Sequence, residues 1–73
     1  MNVFHYCETN KYEKTEYFVA TVNDFIGVIE CMSWSMDDLR RQIHNIINEQ
    51  LQNLGINPGE IIIKEHYLPN LVY

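Results

Sequence analysis

The clearest pattern of apolar and polar positions lies between Ser33 and Gly55. Apolar residues recur there mostly at spacings of three and four, the period of a helix with one buried face; they are Leu39, Ile43, Ile46, Ile47, Leu51 and Leu54. Ser35, followed three residues later by Asp38, is typical of a helix N-terminus. Gly55 suits the left-handed conformation that ends many helices. The pattern therefore predicts an amphipathic helix over about residues 36–54.

The remaining apolar segments are short and rich in β-branched and aromatic residues, which predicts strands. They span residues 2–7, 17–22, 25–32 and 61–67. Residues 8–16 are polar and predict either a loop or a long hairpin arm. Asn23 and Asp24 provide turn chemistry between the second and third strands. Pro58 and Gly59 predict a type II turn before the fourth.

The predicted element order is β-β-β-α-β, which indicates an α+β fold. Three strands form an antiparallel meander, and a right-handed crossover through the helix returns the fourth strand parallel to the first and beside it. The prediction is a four-stranded, mostly antiparallel sheet with one helix packed on one face. Seventy-three residues are expected to form one small domain, 1–73, with an apolar C-terminal tail at 68–73.

The predicted strands carry apolar residues on both faces of the sheet. Phe18, Ala20 and Val22 alternate with Tyr17 and Val19. Because one helix covers only one face, we expect the second face or an edge strand to contact another chain, and we expect a homodimer. The candidate interface residues are Tyr17, Val19, Ile61, Ile63, Tyr67, Arg40 and Arg41. The two arginines would form a rim contact to an acidic partner.

Charge narrows the choice of partner. Ten acidic residues against five basic ones give a formal charge of −5, and only Arg40 and Arg41 adjoin among the basic residues. Phosphate binding needs clustered Lys and Arg, so nucleic acid is disfavoured and a basic protein partner is favoured. Apolar runs are too short for a membrane span and the N-terminus lacks the features of a secretory signal, so we expect a cytoplasmic protein. Residue usage rich in Ile, Asn, Tyr and Lys suggests a bacterial or phage source.

Candidate chemistry is sparse. His5, Cys7 and Cys31 suggest a metal site, but the paired spacing of zinc ligands is missing, so we expect two buried reduced thiols and a partly exposed His5. Acid/base catalysis would need a carboxylate pair such as Glu30 with Glu65, and nucleophilic catalysis would need Cys31 with a histidine. The spacing of these residues in the sequence does not fix the geometry of either pair. We expect His44 to be solvated on the helix. The sequence predicts no enzyme activity, no cofactor and no metal.

Phe18, Val19 and Ala20 in the second predicted strand, followed by Asp24 and Gly27 three residues apart, form a pattern that resembles the small HicB-like antitoxin domains over residues 17–47. The first three are similar to that family's first core strand, and Asp24 and Gly27 keep its Asp-to-Gly spacing. The helix opening of the family is similar to the segment Ser35, Met36, Asp37, Asp38 and Leu39. The sequence departs from the family in having Ile26 where a proline is usual, and it has no C-terminal DNA-binding element. The resemblance implies a β-β-β-α-β domain that self-associates through its sheet and binds a partner, often a small basic RNase toxin.

Three functional hypotheses follow. The first is a non-enzymatic, acidic and dimeric interaction domain that masks the functional surface of a partner protein. The second is a phage-encoded inhibitor that presents carboxylates to the nucleic-acid site of a host defence or nucleic-acid-processing enzyme. The third is a small nucleic-acid-binding module that stacks bases on Tyr6, Tyr17 and Tyr67, and the negative charge opposes it.

Overall fold

The chain folds in the predicted order of three strands, one helix and a fourth strand. The computed structural model describes residues 1–10, 12–69 and 71–72. Its elements are β1 (Asn2–Asn10), β2 (Thr15–Asp24), β3 (Gly27–Ser33), α1 (Met36–Asn53), a 3₁₀ turn (Pro58–Glu60), β4 (Lys64–Tyr67) and β5 (Leu71–Val72). The α+β prediction is confirmed.

The strands form one mixed sheet in the order β3-β2-β1-β4. The pairs β1–β2 and β2–β3 are antiparallel, and β4 lies parallel to β1 and beside it, as the predicted crossover requires. The short β5 also pairs with β1 in parallel, at Glu8 and Thr9, so part of the predicted tail joins the sheet. Lys11 in the predicted loop, and Asn70 and Tyr73 in the predicted tail, lie outside the described residues.

The first two strands form the long hairpin arm that was one of the two predictions for residues 8–16. Their pairing continues to Asn10 opposite Thr15. The Asn10 side-chain oxygen accepts hydrogen bonds from the backbone N–H groups of Tyr12, at 3.0 Å, and Glu13, at 3.2 Å. These bonds fix the start of the hairpin tip.

The second hairpin turns two residues later than Asn23 and Asp24 predicted, and that prediction is wrong. The turn consists of Phe25 and Ile26, and Asp24 pairs with Gly27. Gly27 has φ +107°, which favours glycine, and the Asp24 carboxylate accepts from the Phe25 N–H at 2.7 Å. A turn closed by a positive-φ glycine, with aspartate at its first position, explains why the strand passes Asn23 before reversing.

Both predicted ends of the helix are confirmed. Ser35 is the N-cap, and its hydroxyl accepts from the Asp38 N–H. At the other end Gly55 has φ +75°, and the N–H of Ile56 donates to the carbonyl of Leu51 at 2.9 Å, which is the Schellman arrangement.

The predicted type II turn at Pro58 and Gly59 is wrong. These residues form a 3₁₀ turn in which Gly59 has an ordinary φ. The Asn57 side-chain oxygen caps the turn by accepting from the Gly59 N–H at 3.0 Å. Because this cap holds the turn, no positive φ is required there.

The core lies between the helix and one face of the sheet. Fully buried helix residues pack on Val3, Ala20, Val22 and Cys31 of the sheet; they are Leu39, Ile43, Ile47 and Leu51. Burying each of these four is worth about 1.5–3 kcal/mol before entropy is subtracted. Ile61 and Ile63 pack against the same core from the connection before β4. The pairing of β4 with β1 begins at Lys64, opposite Asn2, so the fourth strand starts three residues later than predicted.

Candidate functional site

The side of the sheet that faces away from the helix is called the open face below. Side chains alternate along each strand, and the register places the same face of neighbouring strands together. The central part of the open face consists of Phe4, Tyr6, Glu8, Tyr17, Val19, Thr21, Val28, Glu30 and Met32. Apolar side chains thus occupy both faces of the sheet, as predicted for β2.

Val19 is the centre of the open face. It is only 1% exposed although the helix lies on the opposite side of the sheet. Its cross-strand neighbours are Tyr6 on β1 and Met32 on β3, so two larger side chains flank it on the same face. Met32 and Val28 are themselves well exposed. The open face therefore has a packed apolar centre that continues into exposed apolar side chains along β3.

An aromatic pair lies where β3 ends and the helix begins. The rings of Tyr17 and Trp34 meet edge to face, with centroids 6.2 Å apart and planes at 81°. The Tyr17 hydroxyl donates to the carboxylate of Glu8 on the neighbouring strand. Trp34 is 71% exposed, so a large aromatic surface remains available to solvent.

A polar cluster lies on the other side of the sheet, between β1, β4 and the helix. Its centre is the carboxylate of Glu65, and the cluster of Glu65, His5, His44 and Arg40 is called the Glu65 cluster. Oxygen Oε1 lies 3.1 Å from Nε2 of His5 and 3.2 Å from Nε2 of His44. Oxygen Oε2 accepts from the Arg40 guanidinium at 3.3 Å. One carboxylate thus joins two strands and the helix.

Burial and hydrogen bonding act on Glu65 in opposite directions. Burial by itself raises the pKa of the carboxyl, but the hydrogen bonds from His44 and His5 and the charge of Arg40 outweigh it, and the pKa is lowered overall. Glu65 is therefore ionised at neutral pH and only accepts hydrogen bonds. Both histidines must donate through Nε2.

The second ring nitrogen of His5, Nδ1, differs from Nε2 in its hydrogen bonding. The side chain is completely buried, and Nδ1 has no hydrogen-bond partner within the described part of the chain. A hydrogen on Nδ1 would be an unpaired buried donor, so the geometry places the ring hydrogen on Nε2. The ring also stacks on Tyr67, with centroids 4.8 Å apart and planes at 11°.

The structure does not bring the seven sequence-predicted interface candidates onto one surface. Tyr17 and Val19 lie on the open face, whereas Ile61 and Ile63 pack against the core on the helix side. Tyr67 stacks on His5. The two arginines, Arg40 and Arg41, form ion pairs with Glu65 and Asp38 respectively.

The residues considered for metal binding or catalysis are also dispersed. Cys7 and Cys31 are free, buried thiols. Burial, with Glu16 near the first and Glu30 near the second, raises the pKa of each, so neither is activated as a thiolate. Glu30 lies on the open face, opposite Thr21, and Glu65 lies on the helix side. Among the described residues no group of three His, Cys, Asp or Glu side chains is arranged to hold a metal ion.

Two features of the site were missed from the sequence. The prediction of a partly exposed His5 is wrong, because this residue is completely buried and bonds to Glu65. His44 remains 37% exposed, but it bonds to Glu65 as well, which was not predicted. Arg40 and His44 are four apart on the helix, which places them on one side of it, and this spacing was the available signal. The contact of Trp34 with Tyr17 had no signal, because it depends on the path between β3 and the helix.

Comparisons with protein families, with curated proteins and with solved structures find no match to this chain. The similarity to HicB-like domains therefore stays a prediction. In the described part of the chain no helix has the length and apolar character needed to cross a bilayer.

Proposed function

We propose that this chain is a non-enzymatic protein-binding domain whose open face docks on a basic partner protein and covers that protein's functional surface. The observation that carries the proposal is the apolar centre of the open face around Val19. A helix already covers the other face, so the exposed side chains of Val28 and Met32 extend an apolar surface that the described chain leaves to solvent. Protein interfaces have such an apolar centre with a polar rim.

Charge supports a basic partner. The chain has a formal charge of −5, and the open face carries the carboxylates of Glu8 and Glu30 beside its apolar residues. Lys64, at the β4 edge, is the basic residue on this face within the described ranges. Carboxylates at the rim would favour association with a positively charged surface and would disfavour an acidic one.

The resemblance to HicB-like antitoxins supports the same proposal. Domains of that family have the element order found here and bind a partner protein, often a small basic RNase toxin. A host nucleic-acid-processing enzyme would present a similar basic surface to a phage inhibitor. The proposal therefore commits to a basic protein as the occupant of the open face.

The test compares two substitutions that are matched in exposure and chemistry. Val28, on the open face, is 78% exposed, and Ile62, in the connection before β4, is 74% exposed. Val28→Lys and Ile62→Lys are each used to capture proteins from the native host, and any captured protein is purified and titrated by calorimetry. Circular dichroism confirms that both variants fold.

We expect the capture to yield a basic protein whose dissociation constants for the wild type and for Ile62→Lys are equal. We expect Val28→Lys to bind it at least about tenfold more weakly, because a charge would be desolvated at the interface. Equal binding by the two variants, or a captured partner with an acidic surface, would contradict the proposal.

A second surface suits self-association. The outer edge of β3 is not paired with any strand of the described chain, and this edge is seven residues long. Unprotected edges of this length readily pair with another strand. We propose that two copies join their sheets at β3 and form a homodimer. Light scattering at tens of micromolar is expected to give the mass of two chains, and a single-chain mass would exclude the dimer.

A further inference from the structure

A groove overlaps one end of the open face at Tyr17 and Met32 and extends beyond it to Trp34. It has a volume of about 490 Å³ and lies between the hairpin arm, the end of β3 and the helix. Tyr17, Met32 and Trp34 form its apolar part, and Asn10, Glu13 and Gln42 contribute polar groups. It is called the Tyr17–Trp34 groove below.

The two aromatic rings present surfaces at nearly a right angle. The angle between their planes is 81°, and Trp34 is largely exposed. The face of an aromatic ring is electron-rich and attracts cations, with tryptophan the strongest of the aromatic residues. Two rings at this angle form two adjacent walls of a site for a flat cationic group.

Two carboxylates lie near the groove, those of Glu13 on the hairpin tip and Glu8 on β1. Asn10 bonds to the backbone N–H of Glu13 and so fixes the hairpin tip that carries this carboxylate. Glu8 accepts from the Tyr17 hydroxyl, which keeps a second carboxylate beside the aromatic pair and makes the phenol ring more electron-rich. No lysine or arginine is among the described residues that line the groove.

We propose that the Tyr17–Trp34 groove binds the guanidinium group of an arginine side chain. The planar guanidinium stacks on aromatic faces and also pairs with carboxylates, and the groove offers both kinds of partner. The inference rests on the proposed function, because it identifies the residue by which a basic partner protein would be anchored. The inference assigns the part of the open face around Val19 and Val28 to general apolar contact, and the Tyr17–Trp34 groove to recognition of one side chain.

The test uses the fluorescence of Trp34, which is the single tryptophan of the chain. The probes are a hexa-arginine peptide, a hexa-lysine peptide and an uncharged hexa-citrulline peptide of similar shape. Each is titrated into the full-length chain and into two variants, Glu13→Gln and Glu49→Gln. Both variants lose one negative charge, but Glu49 lies on the exposed side of the helix and does not line the groove.

We expect hexa-arginine to change the Trp34 emission with saturation, and to bind more tightly than either other peptide. Glu13→Gln is expected to weaken it about fivefold, the effect of losing one exposed charge pair, and Glu49→Gln by less than about twofold. Equal weakening by both variants would show attraction to overall charge and would overturn the proposal. Citrulline or lysine binding as tightly as arginine would overturn it as well.

The result is separable from the test of the proposed function. Val28 does not line the groove. If the peptide fails to bind but Val28→Lys still weakens binding of the partner protein, the groove proposal is wrong and the docking surface stands. If the peptide binds as expected and Val28→Lys has no effect on the partner, the groove stands and the open face is wrong.

Discussion

The imidazole of His5 donates its Nε2 hydrogen to the carboxylate of Glu65 at 3.1 Å, and the two residues lie on neighbouring parallel strands that are sixty positions apart in the chain. His5 is completely buried beneath the helix, whereas Glu65 lies at the margin of the core and also bonds to the helix through His44 and Arg40. This pair thus attaches the edge strand β4 to β1 inside the sheet, and Glu65 also links β4 to the helix. Its loss is expected to loosen that edge.

Glu65→Gln is expected to destabilise the fold by about 1–3 kcal/mol at pH 7, because a neutral amide replaces an ionised acceptor of three hydrogen bonds. Glu49→Gln, the same change on an exposed helix position, is expected to alter stability by less than about 0.5 kcal/mol. Urea unfolding followed by circular dichroism gives both values. A difference between these variants smaller than the error of the fit would contradict the assigned role of Glu65.

The same substitution predicts a pH dependence. The pKa of Glu65 is lowered in the folded state, so its stabilising contribution is complete above the ordinary value of 4.5 and is lost as the pH falls through the folded-state pKa. The stability difference between wild type and Glu65→Gln is therefore expected to narrow below pH 4.5. A difference that widens as the pH falls below 4.5 would show that the pKa of Glu65 is raised instead.

The bonding of His5 predicts its tautomer. Nε2 faces the Glu65 carboxylate, and a hydrogen on Nδ1 would be buried without an acceptor. Long-range proton–nitrogen correlation spectra at pH 7 are expected to show a protonated Nε2 and a bare Nδ1. In Glu65→Gln this preference should weaken, because the charged acceptor is removed. A predominant Nδ1–H form in the wild type would refute the assigned geometry.

Two glycines near the end of the helix provide a matched pair. Gly55 has φ +75°, where a side chain is strained, whereas Gly59 has an ordinary φ and space for a Cβ at 3.4 Å from Asn57. Gly55→Ala is expected to cost about 1–2 kcal/mol. Gly59→Ala should be close to neutral or slightly stabilising. Thermal unfolding of both variants measures the contrast, and equal costs would exclude the left-handed helix end.

Local signals explain why much of the fold was predictable. The apolar period between Leu39 and Leu51 depends only on which residues the helix buries, and the caps at Ser35 and Gly55 act within one turn. The parallel position of β4 followed from the crossover rule. The turn was predicted two residues too early because Asn23 and Asp24 have stronger turn chemistry than Phe25 and Ile26. The pairing of β2 with β3 instead continues to Asp24 and places the positive-φ residue at Gly27.

The Glu65 cluster was not predictable because it depends on strand register. Whether Glu65 points toward His5 is decided by the pairing of Val3 with Glu65, and a shift of one residue would place it on the open face. The sequence indicated that β1 and β4 are neighbours but gave no register for them. The groove likewise depends on the contact of Trp34 with Tyr17 across a connection.

The most direct test of the central claim is hydrogen exchange of the chain with and without its captured basic partner, read at peptide resolution. We predict slower exchange on binding in β2 and β3, which carry most of the open face, and unchanged exchange in residues 40–53 of the helix. Slower exchange confined to the helix, with β2 and β3 unchanged, would contradict the docking surface proposed here.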